Sequence, residues 1–511
     1  MQLEIMDTTL RDGEQTSKVA YTPDEKLHIS RLLLEEVKVD RIEVASARVS
    51  DGEMEAVKKI TEWANETGRI NQIEVLAFID GAKSVDWIYS AGAKVVNLLS
   101  KGSLKHLIGQ LRKTPEDHIS DIGKIVDILT SLGMKANIYL EDWSNGMRHS
   151  KGYVFYLVDH LKTMPIQRIM LPDTLGILSP DEVRCYCQEM CDEYPDIHFD
   201  FHAHNDYDLA VANTLAAVQT GVKGIHVTVN GLGERAGNTP LASAVAAIKD
   251  HTSRLLNVNE KKLILLSKTV ETFSGKQIPA NKPVVGEDIF TQACGVHADG
   301  DSKDNLYYND LLPERFGRVR KYALGKTSGK SNIRKNLEEM GIPLDSDVMQ
   351  LVTNRVIELS DRKGNVTAED LPYIICDVLQ SKRLEQKIQI VNFSLNVAKG
   401  LKSVATVKIE IDKECYEETS DGDGQYDAFM NSVRKIYKSL EIKLPELTDY
   451  VVTIPPGGKT DALVQTVITW KNGGREFKTI GLDSDQTVSA IQATVNMLNF
   501  YRSTCGQLSP F

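Results

Sequence analysis

The sequence predicts an α/β protein: a (β/α)8 TIM barrel followed by a helical linker region and a C-terminal α+β domain. Three observations support this prediction. The chain has 511 residues, enough for several hydrophobic cores. Its first half alternates apolar runs with helix-period segments, and its last quarter contains a second, shorter repeat.

The apolar runs of the first half are the expected strands. Each is followed by a segment with helical periodicity, which predicts a parallel sheet. Eight such units match a closed barrel, with an open, doubly wound sheet as the alternative. The runs are residues 2–10, 41–46, 73–79, 94–100, 135–142, 168–174, 197–204 and 224–232.

Three of the intervening helices have the same start signal. TPDE at Thr22, TPED at Thr114 and SPDE at Ser179 each place a capping hydroxyl before a proline and first-turn acids. These starts support the strand assignments before them.

The regular alternation of predicted strands and helices ends near residue 255. We therefore expect a (β/α)8 barrel over 1–255, a loop-rich linker subdomain over 256–320, a helical linker subdomain over 321–386 and an α+β domain over 387–511. The family resemblance described below implies that the barrel is catalytic, that 256–320 completes the active site and that 387–511 is a regulatory, amino-acid-binding domain. VTAEDLPYIICDVL at Val366 predicts a capped helix. GKTSGKS at Gly325 is one residue short of a phosphate-binding loop, so it predicts a helix start instead.

The C-terminal repeat consists of two strand-strand-helix units. ATVKIEI at Ala405, CYEETSDGDGQ at Cys415 and a helix at Tyr426 correspond to VQTVITW at Val464, REFKTIGLDSDQ at Arg475 and a helix at Thr487. Such a pair predicts a small α+β domain with a pseudo-two-fold cleft.

Composition narrows the classes of function. The net charge is -11 and the basic residues are scattered, so nucleic acid is not an expected partner. No apolar run approaches the roughly 20 residues that span a bilayer, and the N-terminus has no leader-like segment, so a cytoplasmic protein is expected. Cys185, Cys187 and Cys191 lack the partners of a metal site and are interpreted as structural thiols.

Polar residues recur where the predicted strands end. In a (β/α)8 barrel these ends meet at the catalytic mouth. The residues are Arg11 and Asp12, Tyr139 and Glu141, Asp173 and Thr174, His202 and His204, and the segment NGLGERAGN from Asn230 to Asn238.

His202 and His204 stand two residues apart in FHAHND. Alternate residues of a strand face the same side, so both imidazoles should point into the mouth. The HxH pattern alone fits two polar strand-end residues equally well. Its position on the barrel, with Asp12 nearby, favours a mixed nitrogen and oxygen site for a divalent ion.

The sequence contains three motifs in order: LRDGEQ at Leu10, HAHND at His202 and NGLGERAGN at Asn230. Together they resemble those of the metal-dependent 2-isopropylmalate, homocitrate and citramalate synthases, and those of the citramalate synthases most closely. Two departures from the family pattern are TSK after LRDGEQ, where a small residue and Pro-Gly are usual, and Asp208, where glycine is usual.

The resemblance implies a divalent metal, Mn2+, Mg2+ or Zn2+, held by Asp12, His202, His204 and Asn238. It implies that Arg11 neutralises charge on the substrate oxygen and that Thr174 hydrogen-bonds the substrate carboxylate. Glu141 and His297 are its alternative candidates for the base. Leu76, Leu99 and Tyr139 would form an apolar pocket for pyruvate, with the wider 2-oxoisovalerate as the alternative.

The resemblance also implies contacts to acetyl-CoA and to an effector. Acetyl-CoA, the second substrate, would lie against Asp299, Asn305, Leu306 and Tyr307. An amino acid, isoleucine for a citramalate synthase, would bind the C-terminal domain at Tyr426 and Asp427 and inhibit the barrel. A homodimer is expected.

Two other function classes stay open. A related hydroxymethylglutaryl-CoA lyase would cleave a carbon-carbon bond on a similar barrel, although the duplicated tail disfavours it. A non-enzymatic amino-acid sensor would use the metal residues only as a scaffold. GLGERAG at Gly231 lacks the spacing and context of a dinucleotide-binding loop.

Overall fold

The computed structural model describes residues 2–361, 366–382, 387–454, 462–472 and 475–505. They form two compact units. The first takes in residues 2–290 and 309–319, and the second takes in 291–308 and the described residues from 320 onward. No helix within these described ranges combines the length and apolar character needed to cross a membrane.

The first unit is a closed barrel of eight parallel strands in chain order. The last strand pairs with the first, from Glu4↔Gly224 to Asp7↔Val227, which closes the barrel and rules out the open sheet. The strands are β1 (Glu4–Asp7), β2 (Arg41–Ser46), β3 (Ile73–Phe78), β4 (Val95–Lys101), β5 (Lys135–Glu141), β6 (Ile166–Asp173), β7 (Phe199–Ala203) and β8 (Gly224–Val227).

The eighth strand is shorter than the predicted 224–232. It ends at Val227, and the chain turns at Val229–Gly231, where Asn230 adopts a positive φ of 59°. This turn redirects the segment that carries Asn238 back across the mouth of the barrel.

Helices cover the outside of the barrel. They are α1 (Pro23–Arg31), α2 (Asp51–Glu66), α3 (Lys83–Ser90), α4 (Leu104–His106), α5 (Pro115–Ser131), α6 (Trp143–His149), α7 (Lys151–Leu161), α8 (Pro180–Glu193), α9 (Ala210–Thr220), α10 (Leu241–His251) and α11 (Leu263–Ser274). The expectation that 256–320 is loop-rich is wrong at α11, whose Leu263, Leu266 and Val270 are buried in the same core as the barrel.

The start signals act as predicted. Thr22 and Ser179 form capping boxes with Glu25 and Glu182, and the Thr114 side chain accepts from the backbone N–H of Asp117. Each cap satisfies a helical N–H that would otherwise lack a partner, which is worth about 1 kcal/mol.

Cys187 is buried on α8, while Cys185 is exposed, and both are free thiols. Burial raises the pKa of the Cys187 thiol well above its ordinary value. These positions fit the interpretation of structural thiols.

The interior of the barrel is unusually polar. Arg41 on β2 is buried and pairs with Glu74 of β3 at 2.9 Å and with Asp200 of β7 at 2.6 Å. Asn97 and Asn137 add side-chain hydrogen bonds in the same layer. The main apolar core therefore lies between the strands and the surrounding helices.

The second unit begins with short elements and then three helices. These are β9 (Thr291–Gln292), α12 (Gly295–Asp301), β10 (Lys321–Tyr322), α13 (Lys330–Met340), α14 (Ser346–Asp361) and α15 (Leu371–Lys382). GKTSGKS leads into α13 after the N-cap Gly329, and Thr367 forms a capping box with Asp370 before α15, as predicted.

The C-terminal repeat contains three strands per copy, so the prediction of two was one strand short. The first copy is β11 (Ile388–Asn396), β12 (Ser403–Ile411), β13 (Glu414–Gly422) and α16 (Gln425–Ser439), and the second is β14 (Glu446–Thr453), β15 (Val464–Asn472), β16 (Arg475–Asp483) and α17 (Gln486–Cys505). Each copy is an antiparallel sheet covered by its helix.

Candidate metal and substrate site

Asp12, His202 and His204 meet at the carboxyl end of the barrel strands. Each offers one ligand atom, and these atoms lie within 4.8 Å of one another. Among the described residues no other group of His, Cys, Asp and Glu side chains is arranged in this way. The predicted convergence of strands one and seven is thus present.

Local backbone geometry explains the convergence. His202 and His204 are alternate residues at the end of β7, and their ring centroids are 5.1 Å apart. Asp12 lies in a tight turn in which the N–H groups of Arg11, Asp12 and Gly13 all donate to the carbonyl of Thr8.

Asn238 joins this group from the loop after β8. It forms an isolated bridge with His204, and the N–H of Asn205 donates to the carbonyl of Gly237 at 2.9 Å. Gly237 has a φ of 86°, and a Cβ there would clash with the carbonyl oxygen of Gly231. Only glycine permits the close approach that brings Asn238 to the histidines.

The donor set fits a divalent ion. Within this donor set, four buried polar atoms have no hydrogen-bond partner: Asp12 Oδ1, His202 Nδ1, His204 Nδ1 and Asn238 Oδ1. Buried polar groups without partners are rare, and two imidazole nitrogens with two oxygens suit a metal that also binds substrate.

The protonation states suit the same role. Burial lowers the pKa of both His202 and His204, so the imidazoles stay neutral. Burial alone would raise the pKa of Asp12, but the positive charge of the Arg11 guanidinium outweighs it and holds that pKa below its ordinary range. An ionised carboxylate beside neutral imidazoles is the form that binds a cation.

Arg11 extends from the same turn and is held by three neighbours. Its Nη1 donates to Asp12 Oδ2 at 3.0 Å, its Nη2 donates to the Tyr139 hydroxyl at 3.3 Å, and its Nε donates to Glu43. Burial would lower the pKa of Arg11, but Glu43 and Asp12 raise it. The guanidinium is a fixed positive charge next to Asp12, His202 and His204, the candidate metal group.

An apolar wall lies beside this charge. Leu76 and Tyr139 form one buried cluster together with Met6 and Met170, and the partly buried Leu99 packs against it. The two methionines were missed. They occupy inward positions on β1 and β6, so the alternation of side chains along these strands could have identified them.

Glu141 and Thr174 stand at the rim. Glu141 pairs with the buried Lys101 of β4, its register partner. Thr174 Oγ1 accepts from the backbone N–H of Asp142 at 2.9 Å, which leaves its own proton for another partner.

Comparisons with known proteins agree with this arrangement. Residues 2–270 match the HMGL-like family model, 284–364 match the homocitrate synthase post-HMGL domain-like model, and 365–502 match the LeuA allosteric (dimerisation) domain. A putative (R)-citramalate synthase from Methanopyrus kandleri is 33% identical, over 98% of this chain and 96% of that protein.

The chain belongs to the HMGL-like family, in its group of citramalate and 2-isopropylmalate synthases.

Other relatives in this group bear both names. An (R)-citramalate synthase from Methanocaldococcus jannaschii is 32% identical over 98% of this chain and all of that protein. A probable 2-isopropylmalate synthase from Methanopyrus kandleri is also 32% identical, over 98% of both chains. The comparisons thus establish the group of synthases but leave the 2-oxo acid open.

Both departures from the family motifs replace glycine at a left-handed position. Lys18 has a φ of 68° and Asp208 a φ of 59°. Aspartate tolerates this conformation better than most residues, and the Asp208 carboxylate also accepts from the Asn205 amide at 3.1 Å. Both residues therefore adopt a left-handed conformation that glycine adopts without strain.

The predicted acetyl-CoA residues and His297 belong to the second unit. His297 lies on α12 with its Nδ1 3.2 Å from Gln292 Oε1, and its ring is 4.3 Å from that of Tyr307. Asp299 pairs with Lys303, while Asn305 and Leu306 are exposed. Their roles in the HMGL-like synthases stay predictions for this chain.

The predicted effector residues line a cavity of about 660 Å³ in the C-terminal repeat. Tyr426 and Asp427 lie in the first turn of α16 on one side, and on the other side Asp485 directly precedes α17 and Thr487 lies in its first turn. The Thr487 hydroxyl donates to Gln425 Oε1 at 2.8 Å, which joins the two copies of the repeat.

Proposed function

We propose that the protein is a citramalate synthase, which condenses acetyl-CoA with pyruvate and hydrolyses the thioester to release citramalate and CoA. The observation that carries the proposal is the apolar wall of Leu76, Leu99 and Tyr139 beside Arg11 and the Asp12–His202–His204 group. Arg11 and the Asp12–His202–His204 group would bind the charged part of a 2-oxo acid, and the apolar wall would contact its methyl group.

Different residues have different roles toward the 2-oxo acid. Asp12, His202, His204 and Asn238 would hold the divalent ion. When bound, such an ion supplies Lewis acidity to a chelating keto oxygen and carboxylate. Arg11 stabilises the negative charge that develops on the keto oxygen as the new bond forms. Thr174 donates its free proton to the substrate carboxylate.

The nucleophile is the methyl carbon of acetyl-CoA. A base must remove one of its protons, and its carbon then bonds to the keto carbon of pyruvate. Glu141 and His297 are the two candidates for this base. Water then adds to the thioester and the carbon-sulfur bond breaks, which releases CoA thiol and makes the condensation effectively irreversible.

Pyruvate fits better than the larger 2-oxo acids. Leu76, Leu99 and Tyr139 are all buried or partly buried, so a branched isopropyl group would displace them. Lys101, which follows Leu99 on β4, is already paired with Glu141 and is not available for the distal carboxylate of 2-oxoglutarate. An unpaired carboxylate there would cost several kcal/mol.

Release of CoA thiol from acetyl-CoA tests this proposal. Pyruvate, 2-oxobutyrate, 2-oxoisovalerate and 2-oxoglutarate are compared with Mn2+, Mg2+ or Zn2+, and pyruvate should give the highest kcat/KM. A preference for 2-oxoisovalerate would make the protein a 2-isopropylmalate synthase. Absence of release with every acid and metal would contradict a synthase, and carbon-carbon cleavage of a hydroxyacyl-CoA would then indicate a lyase.

We further propose that isoleucine binds the cavity at Tyr426 and inhibits the enzyme, and that the protein acts as a homodimer through its LeuA-type domain. Helix N-termini at α16 and α17 suit the effector carboxylate, and Asp427 or Asp485 suits its ammonium. Tyr426, Leu447 and Tyr450 supply apolar surface for its side chain.

Inhibition by isoleucine and by leucine tests the effector assignment. Tyr426→Ala should raise the isoleucine concentration for half-inhibition at least tenfold without changing KM for pyruvate. Lys435→Ala, an exposed residue of the same helix whose ammonium contacts the Thr419 carbonyl, is the matched control. Stronger inhibition by leucine, or unchanged inhibition in Tyr426→Ala, would contradict this assignment.

A further inference from the structure

Beneath the metal group, three buried side chains form a hydrogen-bonded series across the barrel interior. Asp200 Oδ2 lies 3.2 Å from His226 Nε2, and His226 Nδ1 lies 3.2 Å from the Tyr139 hydroxyl. The three residues come from β7, β8 and β5, and each is at most 3% exposed. The series ends on Tyr139, one wall of the substrate pocket.

The Asp200 end is firmly fixed. Its Oδ2 accepts from Arg41 Nη2 at 2.6 Å, and His198 Nε2 lies 2.9 Å from its Oδ1. A Cβ on the neighbouring Gly224 would clash with Oδ1, so glycine is needed for the carboxylate to occupy this place. The carboxylate therefore provides an anchored hydrogen-bond acceptor.

This anchor orients His226. A carboxylate paired with arginine accepts hydrogen bonds, so the proton of the imidazole lies on Nε2 and faces Asp200. Nδ1 is then an acceptor and takes the hydroxyl proton of Tyr139. The lone pairs of the phenol oxygen are left for Arg11 Nη2, 3.3 Å away.

The other acceptor near the phenol is a weaker competitor. Glu43 Oε2 is 3.4 Å from the hydroxyl, and this carboxylate already accepts from Arg11 Nε and from Asn97 Nδ2. The ring of His226 also meets that of Tyr139 edge to face, with centroids 5.4 Å apart. His226 thus restrains Tyr139 through both its nitrogen and its ring.

We propose that His226, held by Asp200, is a positioning residue that fixes the ring of Tyr139 and so sets the size of 2-oxo acid that the pocket accepts. The inference rests on the proposed function, because it concerns the same apolar wall. Without the bond to His226, the phenol can rotate away from Leu76 and Leu99, and a longer 2-oxo acid gains room.

A double-mutant cycle tests the link between the two residues. His226→Phe keeps a ring but removes the acceptor, and Tyr139→Phe removes the donor. Each should lower the ratio of kcat/KM for pyruvate to that for 2-oxobutyrate about fivefold, the effect of one net hydrogen bond. The double variant should show the ratio of Tyr139→Phe alone, because the second change removes nothing further.

Conservative variants separate positioning from general damage. His226→Asn places an amide where Nδ1 stands and should keep most of the preference for pyruvate, and Asp200→Asn should lower it in the same direction as His226→Phe. A fall in kcat and in the melting temperature with an unchanged substrate ratio would overturn the inference, as would additive effects in the double variant.

Failure of the proposed function can be distinguished from failure of this inference. If the wild type releases no CoA with any 2-oxo acid, the proposed function fails. The double-mutant cycle is then measured with the free energies of unfolding of the wild type, His226→Phe, Tyr139→Phe and the double variant. A measurable coupling between His226 and Tyr139 would support the contact, and no coupling would overturn it.

Discussion

At the scale of single residues, His202 is the clearest test of the metal group. His202→Ala removes one imidazole while the carboxylate of Asp12 stays buried, and turnover should fall at least a thousandfold because the proposed divalent ion would lose one of its ligands. A second readout does not need activity. Added Mn2+ or Zn2+ should raise the melting temperature of the wild type and leave that of the variant unchanged.

His160→Ala is the matched control for this change. His160 is a partly buried histidine on α7, outside the barrel interior, where its Nδ1 lies 2.8 Å from the Tyr156 carbonyl. Its removal should preserve both turnover and the metal-dependent rise in melting temperature. Retained activity in His202→Ala would refute the metal assignment.

His118 predicts a pH dependence of stability. It is buried on α5, and burial, followed by the charge of Lys113, lowers its pKa to about 4. Above pH 6.5 the imidazole is neutral in both states. Between pH 6.5 and about pH 4, the unfolded chain binds a proton on this histidine that the folded protein does not bind. As the pH is lowered through this range, the histidine makes the free energy of unfolding fall by about 1.4 kcal/mol per pH unit.

His118→Gln isolates this contribution. Glutamine keeps an acceptor for the backbone N–H of Lys101, which donates to His118 Nε2 at 3.3 Å. The slope of unfolding free energy against pH between 6.5 and 4 should become less steep in the variant. An identical slope in urea titrations of both proteins would show that His118 titrates normally in the folded state.

At the scale of elements, the loop after β1 carries a strained residue. Lys18 is exposed with a φ of 68°, a conformation that costs a residue with a side chain about 1 kcal/mol relative to glycine. Lys18→Gly should therefore raise the free energy of unfolding by about 1 kcal/mol in urea titrations.

Ala20→Gly is the matched control for this change. Ala20 is exposed on the same loop and does not adopt a positive φ. Glycine there adds freedom to the unfolded chain without relieving any strain, so the free energy of unfolding should fall. A loss of stability in both variants would show that the backbone at Lys18 is not strained.

The sequence predicted the elements that have a strong periodic signal and missed those without one. The eight barrel strands and the residues at their ends were found because apolar runs alternate with capped helices. β11 and β14 were missed because a register shift interrupts the alternation of each strand, between Ile390 and Asn392 in the first and between Leu447 and Asp449 in the second.

The candidate site was predictable only at its mouth. Asp12, His202 and His204 belong to contiguous motifs, so their convergence followed from the barrel. The supporting layer of Glu43, Asn97 and His226 was not found, because single inward polar residues inside apolar strands look like interruptions of the pattern. Their pairing depends on neighbours across the barrel, which a single strand does not reveal.

At the scale of the whole molecule, the two halves of the second unit share a hydrophobic core. Leu463 and Leu482 of the C-terminal repeat are buried with Val352 and Val356 of α14 and Leu371 of α15. Arg355 of α14 also pairs with Asp377 of α15 and donates to the Leu482 carbonyl at 2.9 Å.

Deletion of 387–511 should therefore do more than remove inhibition. It should abolish the response to isoleucine and also expose the apolar faces of α14 and α15, which should lower the melting temperature and promote aggregation in light scattering. A truncated protein with unchanged stability and solubility would show that the helices form an independent core, and Tyr426→Ala then remains the cleaner probe of inhibition.

The charged interior of the barrel restricts how this protein can diverge over evolutionary time. Arg41 pairs with both Glu74 and Asp200, and Asp200 contacts His226. Replacing one partner therefore leaves another buried charge without a partner of opposite charge. Descendants should change these positions together or not at all. In an alignment of relatives, we expect correlated substitution among positions 41, 74, 200 and 226, against independent drift on the outer helices.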